Sequence, residues 1–180
     1  MSGSGWTSTS MPYLTPRTAG AADAWTEETR AAGHRGGQRI VYAGETSASS
    51  EVAALLGTDE GATVVARRRI IELDGIPCEL TDTFYPAHIA SGTALAGTSK
   101  IRGGSVSLLA SLGHVGARVV ETVTARIPTD EECGQLGMSR EEPVLRIARV
   151  TYDAGDTPLQ ADLMVMPAGR QQLRYETQIG

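Results

Sequence analysis

Residues 62–86 read ATVVARRRIIELDGIPCELTDTFYP and carry the clearest fold signal in the chain. The first half, 62–73, is rich in β-branched residues, which favour strands. Asp74-Gly75 then gives a strong signal for a two-residue hairpin turn. Residues 76–85 are expected to pair back against the first strand, and Pro86 is expected to end them because proline donates no backbone hydrogen bond. The stretch therefore predicts an antiparallel β-hairpin.

Further strands and helices flank this hairpin on both sides. Strand patterns cover 38–45, 117–127, 144–152, 159–166 and 171–178. Helix patterns follow Ser49 and Thr129, and further helices are predicted at 87–95 and 105–112. Ser49 is a good N-cap residue, and Thr129 with Glu132 has the spacing of a capping box. Strands with interspersed helices predict an α+β domain with an antiparallel sheet of about six strands.

The first 37 residues differ from the rest in composition. They are rich in Gly, Ser, Thr, Ala and Pro, and we interpret 1–37 as an arm or linker with one short helix at 21–32. Tyr13 and Trp25 are the expected anchors of this arm. It is expected to end flexibly at three glycines, Gly33, Gly36 and Gly37. Residues 38–180 then form one ligand-binding domain.

Composition and charge exclude several classes of protein. The chain has 180 residues and a formal net charge of −5, the wrong sign for a free-standing nucleic-acid binder. No apolar run approaches the ~20 residues of a membrane span, and the N-terminus lacks the pattern of a secretory signal. Cys78 and Cys133 have no metal-binding spacing, and no phosphate-loop, dinucleotide or zinc motif occurs. We expect a cytoplasmic protein without membrane contact, disulfide, metal or cofactor.

Two arginines and a helix start are candidates for binding an anion. Arg67 and Arg69 are two apart on a strand, so their side chains share one face. Guanidinium groups suit carboxylate and phosphate. On the residues alone, however, a solvated strand face whose arginines pair with acids across the sheet is the preferred interpretation. Gly104 and Ser105 stand at a helix N-terminus, where free amides attract an oxyanion. A plain N-cap is the alternative for Ser105, and both roles are compatible.

Two carboxylates lie in the middle of predicted strands, where acidic residues are disfavoured. Asp82 is expected either to pair with Arg67 or Arg69 or to bind a polar group of a ligand. Glu121 has the same two alternatives.

Several motifs occur in an order that resembles one known family. They are Arg67-Arg68-Arg69 with Asp74-Gly75 and Pro77; Thr81-Asp82-Thr83-Phe84-Tyr85-Pro86; Gly104-Ser105 with Leu108-Leu109; Glu121 with Ala125-Arg126, Pro128-Thr129 and Glu131-Glu132; Val144-Leu145 with Arg149 and Tyr152-Asp153; and Arg174-Tyr175. Over residues 38–178 the chain resembles the UTRA domain, the effector-binding half of GntR-type transcription regulators of the HutC subfamily. The resemblance implies a chorismate-lyase-like fold and a homodimer.

The resemblance also implies a function, that of a sensor for a small polar or anionic metabolite. Arg67, Arg69, Gly104 and Ser105 would hold the anionic end of the ligand, while Asp82, Glu121 and Tyr175 would read its polar groups. Bound ligand would favour one dimer geometry over another. The family's regulators carry a winged-helix domain before this region, whereas only 37 residues precede it here. DNA contact is therefore not expected from this chain alone, and both part of a longer regulator and a stand-alone protein remain open.

Two other functions are compatible with the same residues. One is an enzyme, a lyase, isomerase or cyclase on a biosynthetic intermediate, with Asp82 or Glu121 as acid or base. A carboxylate with a raised pKa and no arginine partner would favour it. The other is a dimerisation or decoy protein that forms mixed dimers with full-length regulators, which predicts a filled or collapsed pocket.

Overall fold

Six strands form one antiparallel sheet in the computed structural model, which describes residues 6–10, 13–16 and 23–177. In chain order the strands are β2 (Gly36–Ser47), β3 (Thr63–Leu73), β4 (Ile76–Pro86), β5 (Arg118–Arg126), β6 (Val144–Tyr152) and β7 (Pro158–Pro167). Their order across the sheet is β2-β3-β4-β7-β6-β5. Two short strands, β1 (Trp6–Ser8) and β8 (Gln171–Leu173), pair separately and in parallel.

Helices cover both faces of the sheet. They are α1 (Ala24–Ala31), α2 (Ser50–Leu56), α3 (Ala87–Ala90), α4 (Gly104–Ser111) and α5 (Asp130–Leu136), with a 3₁₀ turn at Ala94–Ala96. Residues of α2 pack with Val64 and Phe84 on one face, while α3 and α4 cover Val65 and Tyr85 on the other. Within the described ranges, no helix is long and apolar enough to span a bilayer.

The local signals that define these elements are confirmed. Asp74 and Gly75 both have positive φ, 53° and 82°, as the predicted hairpin turn requires. The Ser49 side chain accepts a hydrogen bond from the Val52 amide at 3.3 Å, and Thr129 and Glu132 form a reciprocal capping box. The predicted α+β fold with its antiparallel sheet is therefore correct.

Residues 23–37 form more regular structure than the sequence suggested. Strand β2 begins at Gly36, so Gly36 and Gly37 pair with β3 and do not end an arm flexibly. Helix α1 lies against β2, and the Trp25 indole donates a hydrogen bond to the Glu72 carbonyl at 3.0 Å. The last strand is shorter than predicted, because β8 ends at Leu173 and residue 178 lies outside the described residues.

Helix α1 packs closely against β2 because Gly36 has no side chain. A Cβ at this position would lie 2.5 Å from Thr29 Oγ1 and 2.7 Å from Trp25 Cδ1. Gly36→Ala is therefore expected to lower the free energy of unfolding by about 1–3 kcal/mol, since the helix must move away. The neighbouring substitution Gly37→Ala meets only ordinary contacts and is the matched control. Urea denaturation of both variants measures the difference, and equal stabilities would contradict this packing.

Candidate functional site

A cavity lies between the sheet and the N-terminal end of α4. Its volume is about 160 Å³. The filled or collapsed pocket expected of a pure dimerisation protein is therefore not what the structure has. Residues from the N-terminal region, the sheet, α4 and β8 line it: Tyr13, Thr15, Asp23, Ala24, Trp25, Gln38, Arg69, Ile71, Cys78, Glu79, Thr81, Gly103, Gly104, Ser105, Val106, Arg149, Gln160, Asp162, Met164 and Gln171.

A row of polar residues crosses the sheet at the cavity floor. Antiparallel register sets Glu121 opposite Arg149, Arg149 opposite Asp162, and Asp162 opposite Thr83. Directly opposed residues point to the same face of a sheet, so these side chains converge. Buried polar groups require hydrogen-bond partners, and each member of the row takes one from its neighbours.

Thr83 separates two charged groups on this floor. Its hydroxyl accepts a hydrogen bond from Arg69 Nη2 at 3.0 Å and donates one to Asp162 Oδ1 at 2.7 Å. Asp162 is only 3% exposed, and its other oxygen accepts from Gln160 Nε2 at 2.7 Å. Arg69 Nε is buried and has no hydrogen-bond partner in the structure as described. A positive and a negative group thus face the cavity without forming an ion pair.

Glu79 adds a second acid to the same wall. Burial raises the pKa of its carboxyl group, while a hydrogen bond from the Thr81 hydroxyl and the charges of Arg149 and Arg69 act in the opposite direction. Burial also raises the pKa of the adjacent Cys78 thiol to about 12, so this cysteine is a poor nucleophile.

The start of α4 faces the cavity without a side-chain cap. Gly103, with φ 77°, is the N-cap residue, and Ser105 is the second residue of the helix, not the N-cap that the sequence indicated. Two glycines in left-handed conformation replace the capping serine, which frees the Ser105 side chain to interact with the Tyr85 hydroxyl. Burial raises the pKa of Tyr85 to about 12, so Tyr85 remains neutral beneath the helix.

Arg149 connects the cavity to both ends of the chain. Its Nε donates to Glu121 at 2.5 Å and its Nη2 donates to the Ser10 hydroxyl at 3.0 Å, while Ser10 donates to Glu121 at 2.7 Å. Tyr175 also bonds to Glu121. Burial acts to raise the pKa of Glu121, but Arg149 and these hydrogen bonds lower it overall. Glu121 and Tyr175 therefore stand behind Arg149 and do not line the cavity.

Arg67 shares its face with Arg69 but has different partners. Its side chain is buried, and its guanidinium donates to four backbone carbonyls in the connection between α3 and α4, those of Ala94, Leu95, Gly97 and Ser99. Because these bonds occupy the group, Arg67 secures this connection and lies outside the cavity lining.

Asp82 lies on the opposite face of the sheet. It pairs with Arg68 at 3.4 Å, not with Arg67 or Arg69, because directly opposed positions in the register are Arg68 and Asp82. Burial raises the pKa of Asp82, and Arg68 acts to lower it. Since the sheet separates Asp82 from the cavity, the structure does not bring it together with the other candidate residues.

The structure thus divides the seven residues singled out from the sequence. Arg69, Gly104 and Ser105 line the cavity, whereas Arg67, Asp82, Glu121 and Tyr175 do not. Sequence reasoning missed most of the polar lining residues, among them Glu79, Arg149, Gln160 and Asp162. The available signal was the run of polar residues on one face of β4, Glu79, Thr81 and Thr83, which alternates with Leu80 and Phe84. Among the described residues, no group of three His, Cys, Asp or Glu side chains is placed to hold a metal ion.

Comparison with protein families gives one match that covers most of the chain. The family model described as the UTRA domain matches residues 31–172. Among curated proteins, the HTH-type transcriptional repressor PhnF of Mycolicibacterium smegmatis is 29% identical over 136 residues, which are 76% of this chain and 55% of that protein. The histidine utilization repressor of Pseudomonas putida is 30% identical over 148 residues, 82% of this chain and 58% of that protein. The chain spans about half the length of these relatives.

Solved structures agree with this match. The crystal structure of the effector domain of PhnF from Mycobacterium smegmatis superposes with a TM-score of 0.74 at 25% identity. The superposition covers 92% of this chain and 99% of that domain. A GntR-family regulator gives a TM-score of 0.83 at 21% identity, which supports the fold alone.

The different partners of the neighbouring arginines predict different costs of removal. Arg67→Met leaves buried carbonyl oxygens without donors and is expected to lower the free energy of unfolding by about 2–4 kcal/mol. Arg68→Met removes a half-exposed ion pair and a contact of the guanidinium with the Tyr42 ring, and it is expected to cost no more than about 1 kcal/mol. Urea denaturation compares the two variants, and a small effect of Arg67→Met would contradict the structural role of this residue.

Because the pKa of Glu79 is raised, we expect that replacing it increases thermal stability, and that the increase depends on pH. The folded state binds the proton of the Glu79 carboxyl group more tightly than the unfolded chain does. The contribution of protonated Glu79 to the free energy of unfolding is therefore fully present below the unfolded pKa of about 4.3. It is lost as pH rises through the folded pKa. Glu79→Gln should therefore equal the wild type near pH 4 and melt at a higher temperature at pH 8. Glu141→Gln removes an exposed carboxylate and is the control, and a difference that does not change with pH would contradict the burial of Glu79.

Proposed function

The chain belongs to the UTRA domain family, and we propose on this premise that it is the effector-binding domain of a GntR-type transcription regulator of the HutC subfamily. Its ligand, a small polar or anionic metabolite, occupies the cavity under α4. Both curated relatives described above are named as repressors, and the superposed structure from Mycobacterium smegmatis is an effector domain. A sensor domain needs a cavity that can admit a small molecule, and this cavity has a volume of about 160 Å³.

The observation that carries the proposal is the unpartnered Nε of Arg69. A buried donor without an acceptor costs free energy, and a ligand that accepts a hydrogen bond from this Nε would remove that cost. The start of α4, Gly103 to Ser105, lines the same cavity and has no side-chain cap. The Gly104 amide donates to the Ile101 carbonyl at 3.1 Å, and the positive end of the helix dipole favours an anion beside it. Arg69, Gly104 and Ser105 are therefore the residues that we propose hold the anionic end of the ligand.

The ligand would act through the arrangement of two copies of the domain. We propose a homodimer in which ligand binding favours one relative orientation. The described sheet ends in two edge strands, β2 and β5, and β5 exposes Val120 and Val123, which supports pairing of a second copy there. The net charge of −5 supports a domain that does not itself contact DNA.

One observation favours a second function, that of an enzyme using the same cavity. Glu79 has a raised pKa, and no ion pair within 4.0 Å joins it to any residue that the structure describes. Such a carboxyl group can serve as a general acid or base in a lyase, isomerase or cyclase reaction. The nearby charges of Arg149 and Arg69 make this environment polar, and so we rank the sensor first.

Removal of Arg69 tests the sensor proposal without knowledge of the ligand. The purified chain is equilibrated with a bacterial small-molecule extract, and retained compounds are identified by mass spectrometry after dialysis. The wild type is expected to enrich at least one acidic compound. Arg69→Met is expected to retain at least tenfold less of that compound after dialysis. Arg68→Met, on the opposite face, is the matched control and should retain the compound.

The same experiment separates the sensor from the enzyme. A sensor returns the captured compound unchanged after prolonged incubation, whereas an enzyme converts it and Glu79→Gln stops the conversion. A wild-type chain that enriches nothing, or an Arg69→Met variant that binds equally well, would overturn the sensor proposal.

A further inference from the structure

We infer that the ligand is a zwitterion, with its acidic group at Arg69 and the start of α4 and a protonated amine at Asp162 and Glu79. The inference rests on the proposed function and narrows the class of effector that this cavity accepts. It follows from the way in which charges are distributed on the cavity wall.

The charged groups that line the cavity fall into paired and unpaired ones. Asp23 is paired with Lys100 at 2.8 Å and Arg149 with Glu121 at 2.5 Å. Arg69, Glu79 and Asp162 have only neutral hydrogen-bond partners among the described residues, namely the hydroxyls of Thr81 and Thr83 and the amide of Gln160. The charged lining residues without an ionic partner among the described residues are therefore one base, Arg69, and two acids, Glu79 and Asp162.

An anion alone does not match this wall. It would satisfy Arg69 but would add a further negative charge next to the buried carboxyl group of Asp162 and the partly buried one of Glu79, and like charges at short range repel in a medium of low dielectric constant. A ligand whose other end donates hydrogen bonds from a positive group compensates the acids as well. Buried charges are stable when they are paired and hydrogen-bonded, and a zwitterion supplies both partners in one molecule.

Thr83 keeps the two poles available for such a ligand. Its hydroxyl accepts from Arg69 and donates to Asp162, so the arginine and the carboxylate are held on either side of it and do not collapse into an ion pair. Asp162 uses one acceptor site on each oxygen for Thr83 and Gln160, which leaves further lone pairs for a donor. The wall is thus pre-organised with separated positive and negative groups.

Matched pairs of compounds that differ only in the amine test the inference. The probes are L-glutamate with 2-hydroxyglutarate, L-serine with glycerate, 4-aminobutyrate with 4-hydroxybutyrate, and phosphoethanolamine with 2-hydroxyethyl phosphate. Thermal-shift titration of the wild-type chain is expected to give tighter apparent binding, by at least tenfold, for an amine-bearing member than for its hydroxyl partner.

Two substitutions assign the amine preference to the acids. Glu79→Gln and Asp162→Asn should each reduce the preference to less than threefold, while Asp82→Asn, an acid on the other face of the same sheet, should preserve it. Circular dichroism checks that each variant is folded, and Glu79→Gln alone decides the point if Asp162→Asn does not fold.

The outcomes separate this inference from the proposed function. Equal binding of both members of every stabilising pair overturns the zwitterion and leaves the sensor intact. If no probe stabilises the chain, the compound captured from the extract decides, since a captured acid without an amine overturns the inference and one with an amine supports it. A chain that captures nothing overturns the proposed function and this inference with it.

Discussion

The separation of opposite charges by one threonine hydroxyl is the constraint around which this domain is organised. Thr83 lies near the centre of the sheet, where the register sets it opposite Asp162 on one side and opposite Arg67 on the other. Arg69, two residues along the same strand face as Arg67, reaches the Thr83 hydroxyl diagonally. A charged floor of this kind needs a cover that excludes bulk water, because hydration would weaken every interaction within it. Helix α4, helix α1 and the segment that contains Tyr13 supply that cover and leave the cavity between them.

Two arginines on the same face of β3 have different roles, one in holding the backbone and one in lining the cavity. Arg67 and Arg69 have the same orientation, yet the first bonds to four carbonyls of the connection before α4 and the second keeps a donor free. The connection held by Arg67 leads directly to the glycines that begin α4. The guanidinium of Arg67, bonded to these carbonyls, therefore positions the backbone. The guanidinium of Arg69, two residues away and with its Nε unpartnered, lines the cavity that this backbone helps to enclose.

Local signals in the sequence were sufficient for most of the fold. The Asp74-Gly75 turn, the Ser49 cap and the Thr129 capping box depend on neighbours within a few residues, and all three formed as predicted. The site was harder because its residues meet through register across four strands. Glu121, Arg149 and Asp162 are far apart in sequence, and no local pattern shows that they align. The role of Arg67 was equally hidden, because backbone carbonyls leave no trace in side-chain composition.

The parallel pairing of β1 with β8 has a mechanical consequence. A pull on Trp6 against Leu173 is directed along both strands, so their hydrogen bonds are loaded together in shear and do not open one after another. The segment that follows β1 carries Ser10, which contacts Arg149, and Tyr13, which lines the cavity. Tension applied at the start of β1 would therefore strain the contacts of Ser10 and Tyr13 beside the cavity. A domain with ligand in the cavity would resist that tension differently from a domain without it.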